Sequence, residues 1–79
     1  MQELEHRWTD SHTYKVACPI SGTLYPVGIL GMSDDEVRVE RINEDTIKVI
    51  NVDCHAILTC RWEDNSWVEK SLDFDFEIK

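Results

Sequence analysis

The chain has 79 residues, 42% hydrophobic and 30% charged, with sixteen acidic residues against eight basic ones and a net charge of −8. That balance excludes collagen-like, low-complexity and wholly disordered classes. No apolar run approaches the ~20 residues that span a bilayer as a helix, and an acidic chain argues against gripping the phosphate backbone of nucleic acid, which needs clustered Lys and Arg.

The chain reads as one domain over 1–79, an N-terminal segment 1–12 followed by a β domain 13–79. Met1 is followed by charged residues rather than an apolar stretch, so no secretion signal is expected. Cys18, Cys54 and Cys60 make an odd count that cannot pair internally without a remainder. The expectation is a reducing, cytoplasmic setting with free thiols.

Leu4 and Trp8 lie one helical turn apart, so 1–12 is predicted as a short helix or a loose end. Beyond it the composition is β-forming: Val and Ile total fourteen, Thr five and Ala only two. Six strands are predicted, at about 13–20, 23–30, 36–42, 46–52, 56–63 and 67–78. Ser21-Gly22 reads as a tight hairpin turn. Pro19 and Pro26 lack amide donors, which makes the first two strands edge-like or interrupted. Leu24 to Met32 holds no charge. It is expected to be buried against the sheet or covered by a partner or a second copy, with Leu24, Tyr25, Val27 and Ile29 as the dimer contact.

Register follows from alternation. A loop of Asn43-Glu44-Asp45 sets Val39 opposite Val49 and Glu40 opposite Lys48. Pairing Val52 with His55 sets Val49 opposite Leu58 and Ile47 opposite Cys60. This leaves Ile42, Ile50, Val52 and Ile57 on the other face, to be covered by the first hairpin. In the last strand Val68, Leu72, Phe74, Phe76 and Ile78 share a side, with Lys70 the exception. A three-residue loop, Asp64-Asn65-Ser66, then sets Trp62 opposite Val68, Arg61 opposite Glu69 and Leu58 opposite Leu72. The fold class is all-β, a small antiparallel meander of five or six strands closing into a barrel or sandwich.

Chemistry-bearing motifs are weak. Cys54-His55 and Cys60 match no zinc spacing, and Cys60 shares its side with Leu58 and Trp62 as a core residue would. Adjacent Cys54 and His55 face opposite ways on a strand and make no nucleophile–base pair there. There is no Gly-x-Ser-x-Gly elbow and no calcium-loop spacing. No cofactor or metal is expected, and no enzyme.

The acidic groups are the remaining signal. Glu44-Asp45 and Glu63-Asp64 are predicted at one end of the meander, and Asp73, Asp75 and Glu77 in a row on the last strand. The plain reading is a solvated face. Trp67 has the outward parity of that row; it either anchors a partner, as Trp does at binding hot spots, or packs against Trp8 or the loop end. The leading expectation is a small acidic protein-binding module, an inhibitor docking on a basic surface that normally holds nucleic acid. Such a role suits a phage or mobile-element protein. Its partner would be a protein, not nucleic acid or membrane, with a homodimer as a further option. The alternatives are a small-ligand or metal carrier using Cys54, His55 and Cys60, and a subunit of a larger assembly.

Overall fold

The computed structural model describes residues 3–78. It is all-β, with no helix among the described residues, and holds seven strands: β1 (His6–Trp8), β2 (Tyr14–Ala17), β3 (Leu24–Val27), β4 (Val37–Arg41), β5 (Thr46–Asn51), β6 (Ala56–Glu63) and β7 (Ser66–Phe74). They form two antiparallel sheets, β1-β2-β3 and β4-β5-β6-β7. The arrangement is sandwich-like and not a closed barrel.

The expected N-terminal helix is a strand where it is described. His6, Arg7 and Trp8 pair with Val16, Lys15 and Tyr14, while Met1 and Gln2 lie outside the described residues. The error has a simple origin. Residues four apart share a face of a helix, but they also share a face of a strand. Leu4, His6 and Trp8 are half-buried while Glu5 and Arg7 are exposed, which is the period of a strand. Trp8 then meets Tyr14 edge-on at 5.1 Å between ring centres.

The Ser21-Gly22 turn is wider than expected. Cys18 N–H donates to the Thr23 carbonyl and Gly22 N–H to the Cys18 carbonyl, with Gly22 at φ 78°. Pro19 falls inside this loop, so β2 runs uninterrupted as the central strand of its sheet, not as an edge. Pro26 does sit on an edge strand, β3, where a missing donor is harmless.

The middle registers agree with the alternation argument. Val39 faces Val49 and Glu40 faces Lys48; Val49 faces Leu58 and Ile47 faces Cys60. The last hairpin differs. Its loop is the two residues Asp64 and Asn65, both left-handed at φ 50° and 63°, as a type I′ turn requires. Trp62 therefore faces Trp67 and Arg61 faces Val68, not Val68 and Glu69. A bulge then inserts one extra residue between Glu69 and Ser71, and Leu58 meets Leu72 after all. The residue inserted is Lys70.

The bulge decides the core. Before it, Trp67 points inward; after it, Leu72 and Phe74 take the inward parity. Tyr14, Val16, Val27 and Ile29 on one side meet Ile47, Val49, Ala56, Leu58, Cys60 and Trp67 on the other. The first sheet thus covers the Val49–Leu58 face and not the strip of Ile42, Ile50, Val52 and Ile57. Ile50 and Ile57 stand opposite each other on the outer face, where they and Val52 are half-buried, and Ile42 is exposed. Val27 and Ile29 lie in this core, Leu24 and Tyr25 are half-buried, and Pro26, Gly28, Leu30 and Met32 are exposed, so the segment 24–32 is covered only in part and the four residues expected at a dimer contact are not exposed together.

Two core groups make the fold sensitive to alkali. Burial pushes the Tyr14 hydroxyl from 10.0 to about 12. Burial, with a smaller contribution from the charge of Glu69, pushes the Cys60 thiol from 9.0 to about 11. Both sites favour the neutral form in the folded chain, so the unfolded chain loses these protons first as pH rises. The stabilisation is complete below pH 9.0 and is lost as pH climbs through about 11 and about 12. Urea midpoints should therefore fall between about pH 8 and about pH 10.5; equal midpoints would contradict the assignment.

Candidate protein-binding surface

The two acidic turns do lie together. Trp62 N–H donates to the Asp45 carbonyl at 2.7 Å, which ties the β4–β5 loop to β6. Two of their four carboxylates, Asp45 and Glu63, are matched. Arg61 reaches Asp45 at 3.2 Å and Glu63 at 4.0 Å, and Lys70 reaches Glu63 at 2.7 Å. Asp45 is held below its usual value, first by the Thr46 hydroxyl, with Arg61 adding to it. Glu44 and Asp64 remain exposed at the loop tips. A groove of about 460 Å³ beside them is lined by Pro19, Ile20, Arg41, Glu44, Asp45 and Trp62.

Asp73, Asp75 and Glu77 are different. All three are exposed, and none takes part in an ion pair among the described residues. Between them stand Leu72, Phe74 and Phe76, at 39%, 53% and 76% exposure. Phe74 and Phe76 stack with a 14° interplanar angle at 6.5 Å, and Phe76 lies 5.4 Å from the His55 ring. Leu72 and Phe74 share a face with Leu58 and Ala56, which are fully buried. Only Leu72, Asp73 and Phe74 of these belong to β7; the strand expected to run to 78 stops at Phe74, and a turn follows in which Ile78 N–H donates to the Asp75 carbonyl.

Trp67 is not on this surface. It is only 8% exposed, packs edge-on against Trp62 at 5.2 Å, and donates its indole N–H to the Val16 carbonyl across the sandwich at 3.1 Å. Its placement on the charged face is corrected. The parity of Leu72 and Phe74 does not carry back through the bulge at Lys70.

Cys54, His55 and Cys60 do not form one site. Cys60 is a core residue facing Ile47. Cys54 lies in the β5–β6 turn, where its thiol donates to the Asp35 carboxylate at 3.6 Å. Burial raises the Cys54 thiol, and the charge of Asp35 raises it further, which disfavours a nucleophilic thiolate. His55 Nδ1 is buried and has no hydrogen-bond partner among the described residues. No group of three or more His, Cys, Asp and Glu is placed to hold a metal ion among the described residues.

A buried polar knot lies behind this turn. Asn51, fully buried, donates through Nδ2 to the Leu30 carbonyl at 2.8 Å and to Asp35 at 3.0 Å, and accepts Cys54 N–H through Oδ1 at 3.0 Å. Asp35 also accepts Met32 N–H, and its own carbonyl accepts the Trp8 indole. The Asn51 hydrogen bond is the first cause of the lowered Asp35 carboxyl, followed by Met32 N–H. Neither Asn51 nor Asp35 was predicted to matter. The available signal was Asn51 itself, a polar residue at the inward parity of Ile47 and Val49.

No protein-family model, no curated protein and no solved structure matches the chain. No described helix is long and apolar enough to cross a membrane.

Proposed function

We propose that the chain is a non-catalytic acidic module that binds a partner protein through the exposed end of β7 and the residues that follow it. The observation that carries this reading is the contrast between two acidic groups. Asp45 and Glu63 are matched by Arg61 and Lys70, whereas Asp73, Asp75 and Glu77 are set among exposed Leu72, Phe74 and Phe76 without a described cation. Unmatched charge favours a basic partner surface and speeds encounter, while aromatic side chains supply the apolar contact. Phe74 and Phe76 take the anchoring role first given to Trp67. A partner surface that otherwise holds nucleic acid would have the required charge, which makes inhibition by occupation a natural outcome.

The test compares affinity capture from the native cell lysate by the wild type and by the double variant Asp73→Lys/Asp75→Lys. The expected result is a captured protein lost on charge reversal and on raising salt, with far-UV circular dichroism unchanged. Each contact to a hot-spot aromatic contributes roughly 1–2 kcal/mol or more, so Phe74→Ala should also weaken capture by about tenfold. Capture indifferent to all three changes would overturn the reading.

A further inference from the structure

We propose that the open edge of β7 is a strand acceptor: it takes up an extended segment of a partner protein in which apolar and basic residues alternate. This rests on the acidic-module reading and specifies how that module engages its partner.

Four strands lie at sheet edges, β1, β3, β4 and β7. Edge strands invite pairing, and proteins blunt them by shortness, proline or charge. β1 has three residues and β3 has four including Pro26. β4 has five, with outward Arg38 and Glu40. β7 has nine residues and no proline and is the longest strand described; charged Glu69 and Lys70 and the bulge blunt its first part, which leaves Ser71 to Phe74 as the regular stretch of this edge. Its inner side pairs with β6, and no described strand pairs with its outer side.

The backbone of this edge is available. Asp75 N–H donates to the His55 carbonyl at 2.8 Å, in register with the pair Ala56–Phe74. In an antiparallel ladder alternate residues direct their amide and carbonyl to the partner strand. Those of Asp73 and Asp75 are directed to β6, and those of Leu72 and Phe74 face the open side.

The side chains specify the occupant. An added strand would set its residues beside two rows at once, Leu72 with Phe74 on one face and Asp73 with Asp75 on the other. Apolar residues suit the first row and Lys or Arg the second, since cross-strand neighbours of opposite charge attract and like charges repel. Such strand addition takes its affinity from main-chain hydrogen bonds and its specificity from alternate side chains. A second copy of this chain is the poorer occupant. Antiparallel self-pairing about Leu72 to Phe76 would bring the acidic row against itself.

The experiment uses the full chain and a capped peptide of about eight residues alternating valine and lysine, with binding read by calorimetry and by amide hydrogen exchange. The expected result is saturable binding that slows exchange at Leu72 and Phe74 by about tenfold. A peptide with Glu in place of Lys should not bind. N-methylation of the peptide should abolish binding on one of its two edges and leave it intact on the other. Binding without added protection at Leu72 and Phe74, and indifferent to N-methylation on either edge, would overturn strand addition while leaving the acidic surface as the docking site. No binding of the lysine peptide would overturn the strand acceptor, and unchanged capture by Asp73→Lys/Asp75→Lys would separately overturn the docking surface. Concentration-dependent protection of the same amides without peptide would identify a second copy as the occupant and overturn the proposal.

Discussion

Replacing Trp67 with alanine is expected to remove a large part of the protein's stability and to lower its denaturant midpoint more than any other single truncation. Truncating a buried aromatic to alanine typically removes about 3–5 kcal/mol, against the roughly 5–15 kcal/mol that holds a domain folded. Here the loss has three parts. The indole fills the space between the two sheets, it packs edge-on against Trp62, which in turn meets Tyr25 at 4.9 Å, and its N–H is the partner of the Val16 carbonyl. Trp67→Phe keeps a ring and removes only the indole hydrogen bond, the Val16 carbonyl retaining its place in the β2–β3 ladder, so a smaller loss of about 1 kcal/mol is expected. Chemical denaturation followed by circular dichroism checks both. A stable Trp67→Ala protein that lost only partner binding would restore Trp67 to the surface and refute the register at the bulge.

The second large effect is expected at Gly31. Its φ of 142° is a conformation that side-chain-bearing residues rarely adopt, and a Cβ there would run into the Asn51 side-chain amide and stand 2.7 Å from the Asp35 carboxylate. Both are committed to the buried knot that joins the loop after β3 to the β5–β6 turn. Gly31→Ala must therefore strain the backbone and push the fully buried Asn51 amide away from its acceptors. A loss of about 3 kcal/mol is expected. Gly28→Ala is the control, because nothing lies within 4 Å of a Cβ at Gly28 and its φ is unremarkable. Denaturant midpoints that fall equally for the two variants would show that the knot contributes nothing specific.

The legible parts of the fold are those in which neighbours along the strand alternate without interruption. Val39, Val49 and Leu58 could be aligned across three strands because one face was apolar and Glu40–Lys48 supported the other. The last hairpin failed at one residue. A three-residue loop and a two-residue loop followed by a bulge bring Leu58 to Leu72 equally well, and they differ only between Cys60 and Lys70. Lys70, the residue that broke the alternation, was the visible mark of that difference. Leu4 and Trp8 were ambiguous because a spacing of four satisfies both periods. The knot was not legible at all. It needs Trp8, Leu30, Met32, Asp35, Asn51 and Cys54 to meet in space, and nothing local marks that meeting. At the candidate surface, alternation places Asp73 on the outer face of β7 but does not reveal that the strand stops at Phe74, with Asp75 and Glu77 beyond its end; the pairing of Asp45 and Glu63 with Arg61 and Lys70 depended on the true register.

The order of strands in each sheet follows the order of strands in the chain, and this bears on how fast the molecule assembles. Every ladder closes a hairpin between consecutive strands, so no long loop must be ordered before a pair can form, and the entropic toll of loop closure stays small at each step. Folding rates fall as contacts become more distant in sequence. By that measure this β-protein belongs nearer the fast end of its class than a Greek-key sandwich of similar size. The most distant contact in sequence lies between the sheets, where the bond from the Trp67 indole to the Val16 carbonyl joins residues 51 positions apart, so docking of the two sheets is the step expected to carry the largest loop-closure cost.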